Sequence, residues 1–208
     1  GVQTCALPIF IDVTVSAPNE ILWAIIGLLL TIGGTFLEAF FVSNPPWDWS
    51  TQGVQTISLG VTYQIGAVLL AACLGGRNAG ALSQIAYVVI GLNLPIFTQG
   101  GGIGYIKEPS FGYILGFIAG AWVCGFLAFR VQPRVETLAF SCLCGLLTIH
   151  AYGVGYLMIF HGINWSVLGA VPLMEAIMKY TISPLPSQLV VVCSVTVVAF
   201  ALRQLMFY

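Results

Sequence analysis

Residues 57–97 read ISLGVTYQIGAVLLAACLGGRNAGALSQIAYVVIGLNLPIF, two uncharged apolar runs parted only by Gly75-Gly76-Arg77-Asn78. Each run is close to the ~20 residues that a helix needs to cross a hydrocarbon layer. A connection this short makes the two helices antiparallel neighbours. The stretch therefore predicts a pair of spans, about Ile57–Leu74 and Ala79–Phe97. Working outward, a further span runs from Ile21 to Val42 and is closed by Asn44-Pro45-Pro46, since proline cannot continue a helix. Downstream runs place others at Phe111–Phe129, Thr137–Phe160 and Ser187–Leu205. The expected fold is an all-α integral membrane protein, a compact bundle of about six transmembrane helices. The stretch from Ser166 to Tyr180 holds Glu175 and Lys179 at ion-pair spacing and reads as an interfacial or partly re-entrant helix.

Composition supports the same class. Of 208 residues, 59% are hydrophobic and 6% charged, with a mean hydropathy of +0.99. A soluble domain carries about 25% charged residues, so this chain lacks the solvated groups to cover a globular surface, whereas lipid tolerates them missing. At about 20 residues per span, little length remains for an ATPase or other soluble domain. The net charge of −1 offers no basic field for nucleic acid. Cys73, Cys124, Cys142, Cys144 and Cys193 fall within apolar runs as small hydrophobes, and no C-x-x-C pair points to metal or redox chemistry. The opening Gly1–Ile9, GVQTCALPI, reads as translated sequencing adapter and is set apart from a single membrane domain over 10–208, leaving the natural start open.

Charge distribution orients the bundle. Arg77, Arg130, Arg134 and Arg203 fall on one side of the alternating spans; Lys107 and Lys179 fall on the other with Asp48, Glu108 and Glu175. The positive-inside bias puts the arginines, and both termini, in the cytoplasm of a plasma-membrane protein. Trp47 and Trp49 then lie on the outer face, as interfacial anchors or as a lid.

Ionisable groups inside the spans are scarce. Glu38 sits near a span end, and His150 is the deepest candidate, expected to bond a neighbouring helix. No chain of acids and histidines suggests a proton-coupled pump, and no catalytic or metal-ligand constellation suggests an enzyme. The polar set on the outer face carries the candidate ligand site: Thr62, Gln64, Asn93, Gln99 and Gln188 as donors and acceptors, with Gly100 to Gly102 and Lys107 as an anion cradle. The alternative is an ordinary surface turn with a solvated lysine. Gly112, Gly116 and Gly120, and the Gly27–Thr31 patch, let helices approach closely, within the bundle or against a partner.

Val61-Thr62-Tyr63-Gln64 and the run 67–117, AVLLAACLGGRNAGALSQIAYVVIGLNLPIFTQGGGIGYIKEPSFGYILGF, resemble the central signature of BioY proteins. The shared elements, in order, are V-T-x-Q, a Gly-Arg turn, L-P-I-F, a glycine run and the helix start F-G-Y-I-x-G-F. The resemblance implies a biotin-capturing S component of an energy-coupling factor transporter. It also implies six helices around one biotin near the outer face, no cofactor, and three partners: a transmembrane coupling protein and two cytoplasmic ATPases. The chain itself is then no enzyme. The family pattern P-G-D-L-L-K, whose acid and lysine are expected to contact biotin, corresponds here to Pro186-Ser187-Gln188-Leu189-Val190-Val191. Gln188 replaces the acid and Val191 the lysine. That keeps open a second reading, a membrane scaffold or a capture protein for a different vitamin-like ligand.

Overall fold

The computed structural model describes residues 17–163 and 172–207. Its elements are α1 (Ala17–Phe36), β1 (Glu38–Val42), the short α2 (Trp49–Gln52), β2 (Thr56–Thr62), α3 (Gln64–Gly91), α4 (Phe111–Ala128), α5 (Val135–Gly162), the short α6 (Leu173–Ile177) and α7 (Leu185–Phe207). A 3₁₀ turn at Ile103–Lys107 precedes α4, and a π turn at Met178–Ile182 joins α6 to α7. Part of the expected 166–180 segment lies outside the described residues. Five helical stretches are long and apolar enough to cross a membrane.

One of the five, α3, is a folded-back pair. Gly76 takes φ 81 and ψ −177, a left-handed conformation that a Cβ disfavours. In a straight helix Gln64 and Tyr87 would stand about 34 Å apart; instead Gln64 Nε2 donates to Tyr87 Oη at 2.9 Å. The legs touch along their length, because a Cβ on Gly80 would lie 3.1 Å from Ala72 Cα. This is the antiparallel pair read from residues 57–97, and counting both legs gives six helical spans among the described residues.

The cavity-side ends of the early spans depart from expectation. Residues Leu37–Val42 and Ile57–Thr62, read as helix, leave it: β1 pairs antiparallel with β2, Phe40 facing Ser58 and Val42 facing Thr56. Hydropathy measures transfer from water and cannot by itself separate a short apolar strand from a helix. The β-branched and aromatic residues there, with Gly60 at φ 65, suit a twisted hairpin better. Likewise the second leg ends at Gly91, short of Phe97. At 1.5 Å per residue the legs 64–75 and 77–91 reach only about 18 and 22 Å, against about 30 Å of hydrocarbon. Irregular backbone completes the thickness, which is tolerated where it is buried or lines a cavity.

The small-residue stripes serve internal packing. A Cβ on Gly116 would meet Ile149 O at 2.8 Å, and one on Gly120 would meet Gly145 O at 2.8 Å, so α4 and α5 lie backbone to backbone. Gly27 seats α1 on both legs of α3, against Ala71 and Ser83. Cys73, Cys124 and Cys142 meet in the core with sulfurs 3.5 and 3.6 Å from that of Cys73. There the three side chains fill the space as small polarisable groups.

The arginines gather where α3 turns and α4 and α7 end. The guanidinium carbons of Arg77 and Arg130 stand 5.7 and 5.1 Å from the Phe126 ring centre, and that of Arg203 lies 4.3 Å from Phe129. Arg203 also donates to Ala128 O at 2.7 Å. Gln64 and Phe111 begin α3 and α4 at the opposite end, and Gln188 lies in the first turn of α7 there.

Candidate functional site

At that opposite end the bundle is hollow. A cavity of about 470 Å³ opens between the base of the β-hairpin, the starts of α3 and α4, and the π turn leading into α7. It lies where α1 ends at Phe36 and the first leg of α3 begins at Gln64, both of which line it. Ile65, Ile114, Phe117 and Tyr113 give apolar and aromatic wall. Thr62, Gln64, Gln99 and Gln188, four of the expected site residues, line it.

The other four do not. Lys107 is exposed on the 3₁₀ turn, outside the lining. Asn93 is exposed and caps α3 by donating to Val89 O at 2.8 Å. Two amides of the expected Gly100–Gly102 cradle are spent within its own loop. The Gly100 N–H donates to Phe97 O at 3.0 Å and the Gly102 N–H to Gly91 O at 2.9 Å, while Gly101 packs on Leu94 O, leaving no room for a Cβ. Ser110 makes no side-chain cap to α4; its hydroxyl pairs with Tyr105 Oη at 2.9 Å. Burial pushes the Tyr105 hydroxyl above its ordinary pKa, so it stays protonated in that pair. The tryptophans sit at the hairpin tip; the base, not the tip, lines the cavity.

Glu38, Lys179 and Tyr180 are lining residues that the sequence did not assign. Glu38 accepts from the Ser58 hydroxyl across the hairpin. Lys179 Nζ lies 5.3 Å from the centre of the Tyr180 ring, and Tyr113 Oη pairs with Thr181 at 2.7 Å, tying the π turn to α4. Of the two positions that the family resemblance marked for ligand contact, Gln188 lines the cavity, whereas Val191 is buried against Gly66. An acid and a lysine nevertheless reach the same cavity from β1 and the π turn. Adjacent Lys179-Tyr180 was the available signal, hidden by a helical reading that gave Lys179 to Glu175.

Two glutamines are held from behind. Gln64 is tied through Tyr87, whose hydroxyl is 3.1 Å from Thr35 Oγ1 and also donates to Ile96 O at 3.3 Å. Gln188 is tied to α5: His150 Nε2 and Gln188 Oε1 are 2.7 Å apart, the inter-helix bond expected of the deepest histidine.

An apolar bundle of six spans, with arginines at one end and a cavity at the other, defines a polytopic membrane protein that is hollow among its helix ends. The chain belongs to the BioY family, whose profile matches residues 18–207. A probable biotin transporter BioY of Lysinibacillus sphaericus is 48% identical over 101 residues, 47% of this chain and 51% of that protein. The match thus spans about half the relative's length. The biotin transporter BioY of Thermotoga maritima is 37% identical over 115 residues, 53% of this chain and 68% of its own. The fold matches a crystal structure of the S-component for biotin from an ECF-type ABC transporter, with a TM-score of 0.63 and 19% identity, covering 92% of this chain and 95% of that one.

Proposed function

We propose that this protein takes up biotin, capturing it in the hollow end of the bundle as the S component of an ATP-driven importer. The observation that carries this reading is the cavity of about 470 Å³, within the range of small-molecule sites, with its glutamines, lysine and aromatic wall. Biotin needs paired donors and acceptors for its ureido ring, an apolar wall for its thiophane and a cation for its carboxylate. Gln64 and Gln188 serve the first, Tyr113 and Phe117 the second, and Lys179 takes the carboxylate in place of Lys107. Family membership and the names of the relatives favour biotin over another vitamin. A transmembrane coupling protein and two ATPases complete the assembly, with the arginine end as the cytoplasmic face.

Binding of radiolabelled biotin to the purified chain tests the reading. Saturable binding competed by unlabelled biotin, but not by thiamine or riboflavin, is expected; competition by either of those would reassign the ligand. The isolated chain carries no phosphate-binding G-x-x-x-x-G-K-[ST] loop. ATP hydrolysis by the single subunit would overturn the division of labour.

A further inference from the structure

We infer that His150 is a positioning residue that fixes Gln188 as a hydrogen-bond donor into the cavity, so that this chain takes the ureido oxygen of its ligand against the last helix. The inference rests on the biotin reading and adds to it which atom of the ligand meets α7.

The bond between His150 Nε2 and Gln188 Oε1 is 2.7 Å long. The other ring nitrogen, His150 Nδ1, is buried with no partner among the described residues. A neutral imidazole carries its proton on one nitrogen only. A buried N–H without an acceptor is rarer in folded proteins than an acceptor with an unused lone pair. The proton therefore sits on Nε2 and is donated to Gln188, which must turn its oxygen toward α5. Its NH₂ group then faces the cavity that Gln188 lines. The imidazole is itself held: the Tyr113 ring stands 5.8 Å away, edge on, and Gly153 leaves the space that Tyr113 occupies.

Gln64 is arranged in the opposite sense. Its amide nitrogen is engaged by Tyr87 at 2.9 Å, so the oxygen remains for the cavity. One wall thus offers a donor and the other an acceptor, which matches the carbonyl and N–H of a cyclic urea. An acid at position 188, as in the family pattern, presents only acceptors and would take a ligand N–H instead. At position 188 this chain has an amide, and His150 settles which end of it is shown.

The test compares biotin with its thiourea analogue, in which the ureido oxygen is replaced by sulfur, a weaker acceptor beside better N–H donors. Wild-type protein should prefer biotin by about tenfold, as expected for one neutral hydrogen bond. Gln188→Ala should reduce that preference toward unity. His150→Phe should do the same although Gln188 is intact, and His150→Gln, which keeps an N–H donor, should restore part of it. The ratio of two ligands on one folded sample is insensitive to a general loss of affinity or yield. An undiminished preference in either Gln188→Ala or His150→Phe overturns the inference. Failure of the wild type to bind either compound would instead overturn the biotin reading.

Discussion

Lys179 and Lys107 separate what a residue's identity reveals from what its place reveals. Both are cations expected on the same face, yet only Lys179 lines the cavity. Lys179→Ala should weaken biotin about tenfold or more, in line with ~1.5–3 kcal/mol for a charge-assisted bond. Biotin amidated at its carboxyl should be affected much less, and Lys107→Ala should leave both ligands unchanged. Equal losses for the two ligands in the Lys179 variant would move the carboxylate elsewhere. Three of the four expected amides and the Thr62 hydroxyl were legible from sequence, because an uncharged polar side chain at the end of an apolar run has few places to go: Thr62, Gln64, Gln99 and Gln188 reach the cavity, and Asn93 does not. The glycine cradle was not legible. Whether Gly100 and Gly102 expose their N–H groups depends on how the loop closes, and here Phe97 O and Gly91 O accept them.

At the scale of elements, the bundle is held by close approach of backbones, and glycine substitutions sort by what a Cβ would meet. In Gly116→Leu the new side chain starts 2.8 Å from Ile149 O, so α4 and α5 must separate. Overpacking of this kind costs about 1–3 kcal/mol or more, and thermal unfolding in detergent should shift downward clearly. Gly155→Ala, on the same α5 but with no atom within 4 Å of the new Cβ, should leave the midpoint unchanged or raise it, since alanine favours helix by roughly 0.5–1 kcal/mol. The same shift in both variants would mean that packing is not what the α4 stripe provides. The helices were readable because ~20 apolar residues in lipid have few alternatives. The β-hairpin was not, since Phe40, Phe41, Val42 and Ile57 are as apolar as any span, and conformation there follows from pairing between segments.

The whole molecule has two unlike ends, one gathering Arg77, Arg130 and Arg203, the other opening beside Lys179 and Glu38. If positive charge sets orientation, a cysteine replacing Arg77 in a cysteine-free background should resist an impermeant thiol reagent in intact cells. One replacing Lys179 should react. The reverse pattern would invert the bundle and place the cavity toward the cytoplasm. The six-span count and the grouping of basic residues were available from alternation of runs and loops alone. The hollow was not, because it arises where spans stop short, and stopping points are set by contacts with other elements.

The turn at Gly76 also bears on how the chain enters a membrane in the first place. Neither leg of α3 reaches across the hydrocarbon unaided, and Gln64, Gln84 and Tyr87 would be costly in lipid before they found partners. Pairing of the legs joins Gln64 to Tyr87, while Gln84 Nε2 donates to Thr31 of α1 and to its own neighbour Ser83 at 3.0 and 2.9 Å. The two legs are thus suited to partition from the insertion machinery as one helical hairpin. Integration assayed during synthesis should show this. In a soluble reporter whose sole apolar segment is residues 64–76 the product should be extractable by alkali, while a reporter carrying residues 64–91 should resist extraction. A first leg that integrates stably without the second would show that the hairpin assembles only after both are in the bilayer.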